Sequence, residues 1–340
     1  MVYSVKAQEN SGSKQAPAEV IELFIQMLRI RRVEEAIAER YPEQKMRCPT
    51  HLSIGQEAVA VGVSYGLQCQ DKVFSSHRAH AHYLAKGGSL KKLIAELYGK
   101  ATGCTAGRGG SMHLCDLDAG FVASTAIVAN SIPVAVGQAL NMQSQKKDGI
   151  VIAYFGDGAT EEGAFYESVN FAVLKSLPIL FVCENNFYSV YSPLSVRQPE
   201  NHSISRMVKE MGIPAQELDG NNVLKVHQTA SQSITDIRSG RGPQFIECFT
   251  YRHREHCGPN FDDDLGYRPS EEVTYWHEKD PILCFQQHCD VAGIVIPSIT
   301  SLLSEQEPLI QREIAQAFDF AESSPFPDES TATEYVYANK

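Results

Sequence analysis

Residues 149–186 read GIVIAYFGDGATEEGAFYESVNFAVLKSLPILFVCENN. Two short apolar runs within them, GIVIAYF and LPILFVCE, are rich in β-branched and aromatic residues and are typical of buried strands. We expect a helix over residues 160–175, between the two runs. Strand, helix and strand in this order predict a βαβ unit, in which the two strands lie parallel in one sheet.

The flanking sequence extends this pattern in both directions. Residues 221–240 predict a helix that Gly240 ends, and PQFIECFTYR (243–252) predicts a third strand. Three helices are expected upstream, over 17–41, 55–67 and 89–100, the last with Ser89 as its N-cap. The fold class is therefore α/β: a mostly parallel sheet with helices on both faces.

The chain of 340 residues predicts one domain over 18–324, with a flexible N-terminal segment over 1–17 and a flexible tail over 325–340. The segment from Lys100 to Ile132 is rich in Gly, Ala, Ser and Thr, which favours a long functional loop.

Composition excludes several functions. A net charge of −11 disfavours a nucleic-acid partner, and no apolar run reaches the length of a membrane span. The start of the chain does not resemble a signal peptide. The nine cysteines are scattered without a CxxC pair, which indicates reduced thiols in a cytoplasmic protein.

Polar side chains follow the first two strands at the point where each strand ends. Gly156, Asp157 and Gly158 come after the first strand, and Asn185 and Asn186 come after the second. Parallel strands end at the same edge of a sheet, so both motifs are expected side by side there. A carboxylate, an amide oxygen and a nearby backbone carbonyl suit Mg²⁺, and glycines allow phosphates to approach the backbone. A GDG alone is often only a turn, whereas the pair at this spacing predicts a Mg²⁺–diphosphate site.

GDG followed by NN at this interval is the fingerprint of thiamine-diphosphate-binding proteins. The surrounding sequence resembles the alpha subunit of the decarboxylating component of pyruvate, branched-chain 2-oxo acid and acetoin dehydrogenase complexes. The similar stretches run from about residue 20 to about residue 290: HLSIGQEA (51–58), HRAHAHYLAKG (77–87), GRGGSMH (107–113), AIVANSIPVAVG (126–137), residues 154–192 and FTYRHREH (249–256).

The resemblance implies a thiamine-diphosphate-binding fold and a role for each matching residue. Asp157, Asn186 and the carbonyl of Tyr188 would hold Mg²⁺, and the arginines Arg78 and Arg252 would hold the diphosphate. His256 would act next to the reacting carbon, and His51 is a second catalytic candidate. The remaining cofactor contacts implied by the resemblance are His77, the backbone of Ala126 and Val128, and the backbone amides of Gly158 and Ala159.

The same resemblance implies an oxidoreductase that decarboxylates a small 2-keto acid, or cleaves acetoin, and passes the acyl group to an acceptor such as lipoyl. Members of this family obtain the glutamate that activates the cofactor's pyrimidine from a separate beta subunit. We therefore expect this chain to be inactive alone and to assemble with a beta partner, as an α2β2 heterotetramer. A lipoyl acyltransferase is a further expected partner.

Several positions depart from the family. His77 replaces an aromatic residue, and its imidazole would weaken a phosphate contact or make it charge-assisted. The family's His-Gly-His-Ser stretch is Arg254-Glu255-His256-Cys257 here, so the serine phosphorylated in mitochondrial members is absent. Glu255 would place a negative charge beside the site of an anionic substrate. This departure keeps open a carboligase or transketolase-like reaction without lipoate, and a non-catalytic assembly subunit is a third hypothesis.

The stretch HREHCGPNFDDD (253–264) has three interpretations at the level of sequence: a metal site, a catalytic loop or a solvated turn. It follows a strand, and Gly258-Pro259 would interrupt a helix, so a loop closing over the cofactor is favoured. The aspartates at 262–264 predict a solvated flank. His80 and His82 are expected either to reach the site or to support an ordered loop.

Overall fold

The computed structural model describes residues 18–334; the N-terminal segment predicted to be flexible, 1–17, lies outside this range. The helices are α1 (Ala18–Arg40), α2 (Glu57–Ser64), α3 (His80–Ala85), α4 (Leu90–Leu97), α5 (Ser131–Ser144), α6 (Gly163–Lys175), α7 (Leu194–Arg197), α8 (Ile204–Glu210), α9 (Val223–Arg238), α10 (Ser270–Glu278), α11 (Phe285–Val291) and α12 (Ile299–Ser323). None of the helices within 18–334 is long and apolar enough to cross a membrane.

Six strands form one parallel sheet in the order β2-β1-β3-β4-β8-β7. They are β1 (Lys72–Ser75), β2 (Phe121–Ser124), β3 (Val151–Gly156), β4 (Ile179–Asn185), β7 (Ala215–Asp219) and β8 (Gln244–Phe249), and a small antiparallel hairpin adds β5 (Tyr188–Ser189) and β6 (Ser192–Pro193). The predicted fold class is confirmed.

Alternate residues of the central strands enter two separate cores. Ile152 and Tyr154 of β3 pack into the core that includes α1, α2, α9 and α12, while Val151 and Phe155 pack against α5, α6 and α8. Both faces of the strand are therefore buried, which explains why its sequence is a continuous apolar run rather than an alternating one.

The three predicted strands and the expected helices are present, with small differences at their ends. Ser89 caps α4 by accepting a hydrogen bond from the backbone amide of Lys92 at 3.4 Å, as predicted. The helix expected over 160–175 is a 3₁₀ turn over Asp157–Glu161 followed by α6. Strands β1, β2 and β7 and the β5–β6 hairpin were not predicted, and β2 lies inside the segment expected to be one long loop. The helices that were not predicted are α3, α5, α7, α8, α10, α11 and α12.

The first part of the predicted tail is described by the structure. The carbonyl of Pro325 accepts a hydrogen bond from the amide of Ala101 at 2.9 Å, and the Lys100 ammonium lies 3.9 Å from the centre of the Phe326 ring. Residues 325–334 therefore pack against the loop after α4. The rest of the tail, 335–340, lies outside the described residues, and its flexibility stays a prediction.

Candidate active site

A polar cavity lies at the carboxyl edge of the sheet, where β3 and β4 end side by side. Gly156 of β3 pairs with Glu184 of β4, so the GDG and NN motifs are neighbours, as their spacing predicted. Nine of the twelve predicted site residues line this cavity: His77, Arg78, Val128, Asp157, Gly158, Ala159, Asn186, Tyr188 and His256. The other three, His51, Ala126 and Arg252, are not part of the lining.

The strand-end side of the cavity is rich in oxygen atoms. Asp157 is 1% exposed, directly after β3, and burial raises the pKa of its carboxyl group while Arg197 opposes that rise. The Asn186 amide oxygen accepts the Tyr188 backbone N–H at 3.2 Å, and its amide nitrogen donates to Gln56 at 3.1 Å. These bonds fix which end of the amide faces each neighbour.

Asn185, the first residue of the NN pair, faces away from the proposed metal ligands. Its amide nitrogen donates to Glu247 of β8 at 2.8 Å, and its oxygen accepts the Phe187 backbone N–H at 3.1 Å. Asn185 therefore ties β4 to the neighbouring strand and to the turn that follows. Asn186 alone of the pair lines the cavity.

Arg197 is a site residue that the sequence analysis missed. It comes from the short helix α7, and its guanidinium pairs with the carboxylates of Asp157 and Glu161. Its Nε donates to the Ser192 carbonyl at 3.1 Å, so the hairpin β5–β6 supports it. The only signal in the sequence is a cation about ten residues after the NN pair, which is too common to single it out.

The two arginines predicted to bind diphosphate have different environments. Arg78 lines the cavity, donates to the carbonyls of Leu52 at 2.5 Å and His256 at 3.2 Å, and has a pKa lowered to about 10 by burial and by Arg252. Arg252 is 1% exposed and pairs with Asp262 at 3.2 Å. Its other contacts are the carbonyls of Arg254 and Val190 and the Tyr267 hydroxyl. Its role toward a diphosphate stays a prediction.

Two histidines, His77 and His256, line the loop side of the cavity, and His51 packs directly behind them. The ring centres of His51 and His77 are 4.7 Å apart, those of His51 and His256 are 5.1 Å apart, and those of His77 and His256 are 5.2 Å apart. These residues come from segments far apart in the sequence. The tertiary structure therefore brings together both predicted catalytic histidines and the substituted position His77.

Backbone pairing between two loops brings His51 to His256. The His253 amide donates to the Ile54 carbonyl at 2.9 Å, and the Gly258 amide donates to the Thr50 carbonyl at 2.8 Å. Gly55 makes this approach possible, because it has a φ of +98° and a Cβ at this position would lie 2.4 Å from the Tyr251 carbonyl oxygen. Any other residue at position 55 would push the loops apart.

All three imidazoles are held in the neutral form. Burial and the nearby Arg78 lower the pKa of His51 to about 2, that of His77 to about 3 and that of His256 to about 3. Burial is the larger cause in each case, since the charged form loses its hydration. The nitrogens are thus available as proton acceptors or as ligands.

Comparison with known proteins agrees with this geometry. Residues 25–330 match the family described as "Dehydrogenase E1 component". The chain belongs to the Dehydrogenase E1 component family.

Two relatives of this E1-family chain illustrate the range of the match. It is 34% identical to the alpha subunit of acetoin:2,6-dichlorophenolindophenol oxidoreductase of Bacillus subtilis (strain 168), over 98% of each chain. It is 37% identical to the pyruvate dehydrogenase E1 component subunit alpha of Porphyra purpurea, over 93% of this chain and 92% of the relative. The resemblance seen in the sequence motifs is confirmed.

The unusual pair Arg254-Glu255 of this E1-family chain is turned toward its own loop. One Glu255 carboxylate oxygen accepts the Asn260 amide at 2.9 Å, and the Glu255 amide donates to the Asn260 carbonyl at 2.9 Å. The Arg254 guanidinium lies 3.7 Å from the centre of the Phe261 ring and donates to the Pro259 carbonyl at 3.0 Å. Neither side chain lines the cavity.

The prediction that residues 262–264 form a solvated flank is wrong for Asp262. This residue is 2% exposed and binds two buried arginines, Arg252 and Arg268. Buried guanidinium groups require a counter-ion, which explains why one carboxylate of the run is drawn inward. Asp263 and Asp264 are exposed, as expected.

His80 and His82 are buried supports of the site. His80 lies between Glu34 at 3.1 Å and Ser111 at 2.8 Å, so it links α1 to the loop before β2. His82 stacks on Tyr154 and lies 3.3 Å from Glu184, a cavity residue that the sequence analysis did not propose. The more conservative of the two hypotheses for these histidines, structural support, agrees with these contacts.

The loop before α5 supplies the remaining predicted cofactor contacts. Val128 lines the cavity and is 50% exposed, and Ala126 lies partly exposed two residues before it.

A larger groove of about 890 Å³ lies elsewhere, between α1, α2 and α12. One of the cations that line it, Arg29, is paired with Glu313 at 2.7 Å. We place the chemistry in the smaller cavity because the strand ends and the histidines converge there.

Proposed function

We propose that this chain is the alpha subunit of a thiamine-diphosphate-dependent 2-oxo acid dehydrogenase, which decarboxylates a small 2-keto acid such as pyruvate. The observation that supports it best is the convergence of Asp157, Asn186, Arg78 and His256 on one cavity at the carboxyl edge of the sheet. In α/β folds this edge is the place where ligands bind. Cleavage of acetoin by the same chemistry is a close variant, in line with the name of one relative.

The cavity fits Mg²⁺ and a diphosphate. Asp157 and Asn186 offer a carboxylate and an amide oxygen, and the carbonyl of Tyr188 is the third proposed ligand. Arg78 would pair with the phosphate oxygens, because it is the buried guanidinium that lines the cavity. The carboxylate of Asp157 would bind the metal. Gly158 and Ala159 would supply backbone amides. When bound, the cofactor supplies an electron sink for loss of CO₂.

The histidines would manage protons on the other side of the cavity. His256 is neutral in the free protein, so its imidazole can accept a proton and later return it. His51, 6% exposed, lies in edge contact with His256 and would orient it. An incoming anion near Arg78 would offset that cation's effect and raise the pKa of His256 toward neutrality.

A beta partner would complete the site. Within residues 18–334, the carboxylates that line the cavity are Asp157 and Glu184, which are engaged by Arg197 and His82. We propose that the glutamate that activates the pyrimidine comes from the partner, in an α2β2 assembly. Exposed apolar side chains in the loops, hairpin and helices that follow β2, β3 and β4 support such an interface: Ile127, Val128, Val134, Tyr166, Phe171, Leu174, Val190, Tyr191 and Val196.

The acceptor and compartment are further parts of this proposal. A lipoyl group on an acyltransferase would take the acyl group, as in the complexes that the family resembles. All nine cysteines are free in the structure, which suits a reducing cytoplasm. We find no observation that favours a carboligase or a non-catalytic subunit, since the proposed metal and proton-transfer residues are all present.

The proposal is tested on the complex. The chain is co-purified with the product of a beta-type gene, thiamine diphosphate and Mg²⁺ are added, and 2-keto acids and acetoin are assayed with an artificial electron acceptor. We expect Mg²⁺-dependent cofactor binding and turnover of at least one of these substrates. Absence of cofactor binding by the assembled complex would refute the proposal. Binding with carbon–carbon bond formation in place of oxidation would point to the carboligase.

A further inference from the structure

The histidines His51, His77 and His256 form a cluster, here called the histidine cluster, whose geometry suits more than proton transfer. One ligand nitrogen from each residue lies within 4.8 Å of the others. His51 is buried, and the other two are half-buried. Their side chains make no hydrogen bond to any other residue within 18–334, and the buried Nδ1 of His51 is without a partner. Buried imidazole nitrogens normally have one.

We infer that the histidine cluster is a binding site for a divalent transition-metal ion such as Zn²⁺ or Co²⁺, distinct from the Mg²⁺ site at Asp157. Neutral imidazole is a preferred ligand of Zn²⁺, Co²⁺, Ni²⁺ and Cu²⁺, whereas Mg²⁺ prefers oxygen. One cavity would thus offer an oxygen-rich side and a nitrogen-rich side to two different classes of ion.

The distances require only a small adjustment. Three nitrogens that share a tetrahedral Zn²⁺ at about 2.0–2.1 Å lie about 3.4 Å from one another. The ligand nitrogens, which lie within 4.8 Å of one another, would come closer by rotation of side chains whose nitrogens are not otherwise bonded. Three protein ligands would leave the fourth position open, which is the pattern of zinc sites that bind water or a substrate.

His77 is the residue that makes this cluster. His51 and His256 lie in stretches that match the family. His77, in place of the family's aromatic residue, supplies the third imidazole. The nearby Arg78 guanidinium, which donates to the His256 carbonyl at 3.2 Å, opposes a dication. Asp157 and Glu184 line the same cavity and offset part of that charge. We therefore expect micromolar rather than picomolar affinity.

Occupancy of the histidine cluster would change the chemistry of the cavity. A metal-bound imidazole nitrogen cannot accept a proton, so a bound ion would take His256 out of proton transfer. This consequence rests on the proposed function, whereas the binding of the ion does not. The test is therefore a binding measurement that needs neither cofactor nor turnover.

The full-length chain is titrated with Co²⁺ in saturating Mg²⁺, and the visible d–d absorption of tetrahedral or five-coordinate Co²⁺ is followed. We expect a band that saturates at one equivalent and that Zn²⁺ abolishes by displacing the cobalt. His77→Phe restores the family's aromatic character and should weaken binding by more than about 100-fold, because loss of even a supporting residue of a metal site costs up to that much.

His51→Gln should have the same effect as His77→Phe, so the conclusion does not depend on one variant. His113→Gln, at an exposed position outside the cavity, is the matched control and should bind Co²⁺ normally. Circular dichroism establishes that each variant is folded. The inference is overturned if the parent chain gives no d–d band, if the band survives undiminished in His77→Phe, or if it is accompanied by thiolate charge transfer from the cysteines.

Discussion

The two sides of the cavity are built in different ways. Asp157 and Asn186 directly follow strands β3 and β4, which are hydrogen-bonded to each other along their whole length. The histidine cluster stands on three loops, which are joined by a few backbone bonds, by the Arg78 guanidinium and by the close approach that Gly55 allows. The first side is fixed by the sheet, and the second by the packing of loops.

This difference separates binding from chemistry. A metal and a diphosphate need ligands at fixed positions, which strand ends provide at little entropic cost. Proton transfer needs groups that can adjust as the charge of the site changes, and loop residues allow that adjustment. We therefore expect substitutions on the strand side to remove cofactor binding and substitutions on the loop side to remove turnover.

The largest effect is expected at the strand side. Asp157→Ala removes the only carboxylate among the proposed Mg²⁺ ligands and leaves the half-buried Arg197 guanidinium without that partner. We expect Mg²⁺-dependent binding of thiamine diphosphate to fall below detection, measured by calorimetry on the complex. Asp148→Ala, at an exposed position before β3, is the control. If Asp157→Ala still binds the cofactor, the strand side does not have the binding role that we assign to it.

The loop side is tested by His256→Gln. The glutamine side chain is similar in size to histidine but cannot gain a proton. The backbone carbonyl of residue 256, which accepts a hydrogen bond from Arg78, is unchanged by this substitution. We expect kcat to fall by about 10²–10⁴, the usual contribution of general acid–base catalysis, while the affinity for thiamine diphosphate changes by less than about threefold. An equal loss of affinity and turnover would mean that His256 supports the site rather than acting in it.

The neutral histidines also predict a pH dependence of folding. The pKa of His77 is lowered from 6.5 to about 3, so below pH 6.5 the unfolded chain binds a proton that the folded chain does not. Stability must then fall as the pH drops from 6.5 toward 3, by about 2 kcal/mol at pH 5 from this residue. Urea denaturation is measured at pH 8 and pH 5 with a chelator present. Between these pH values, the free energy of unfolding of His77→Phe should fall by about 2 kcal/mol less than that of the parent chain. An unchanged difference would show that His77 is charged in the folded protein.

Sequence predicted the two sides unequally, and the reason is physical. The strand side follows from local pattern, because two apolar runs, a helix between them and the polarity of their ends determine where Asp157 and Asn186 meet. The loop side depends on contacts between positions 51, 77 and 256, and no local pattern encodes them. His51 and His256 could be named only through the family resemblance, and Arg197 could not be named at all.

Other features were missed or wrongly predicted from the sequence for related reasons. Strands β1 and β2 are four residues each, and β2 lies among glycines and serines, so their pairing partners rather than their sequences define them. In the sequence, Asp262 is one of three apparently equivalent surface acids. In the structure it is the counter-ion of two buried arginines. Local sequence describes propensity, whereas these features depend on which charges and strands become neighbours.

A smaller effect, on the strand side, is expected from Arg197→Gln. The arginine pairs with Asp157 and so competes with Mg²⁺ for the same carboxylate. Its removal should strengthen Mg²⁺ binding about tenfold, equivalent to about 1.4 kcal/mol, and lower the stability of the metal-free protein. Isothermal titration with Mg²⁺ measures the change, with the exposed Arg206→Gln as control. Weaker Mg²⁺ binding would instead make Arg197 part of the cofactor site.

The smallest effect is expected at Glu255, where sequence and structure differ most in what they imply. The sequence places a negative charge beside an anionic substrate, but in the structure this carboxylate accepts the Asn260 amide and lies outside the cavity lining. Glu255→Gln keeps an acceptor for that amide, so we expect KM for the 2-keto acid to change by less than about twofold and stability to fall by at most about 1 kcal/mol. Steady-state kinetics and urea denaturation measure both. A several-fold lower KM would show that Glu255 faces the substrate, and the loop side would then be adapted for selectivity as well as proton transfer.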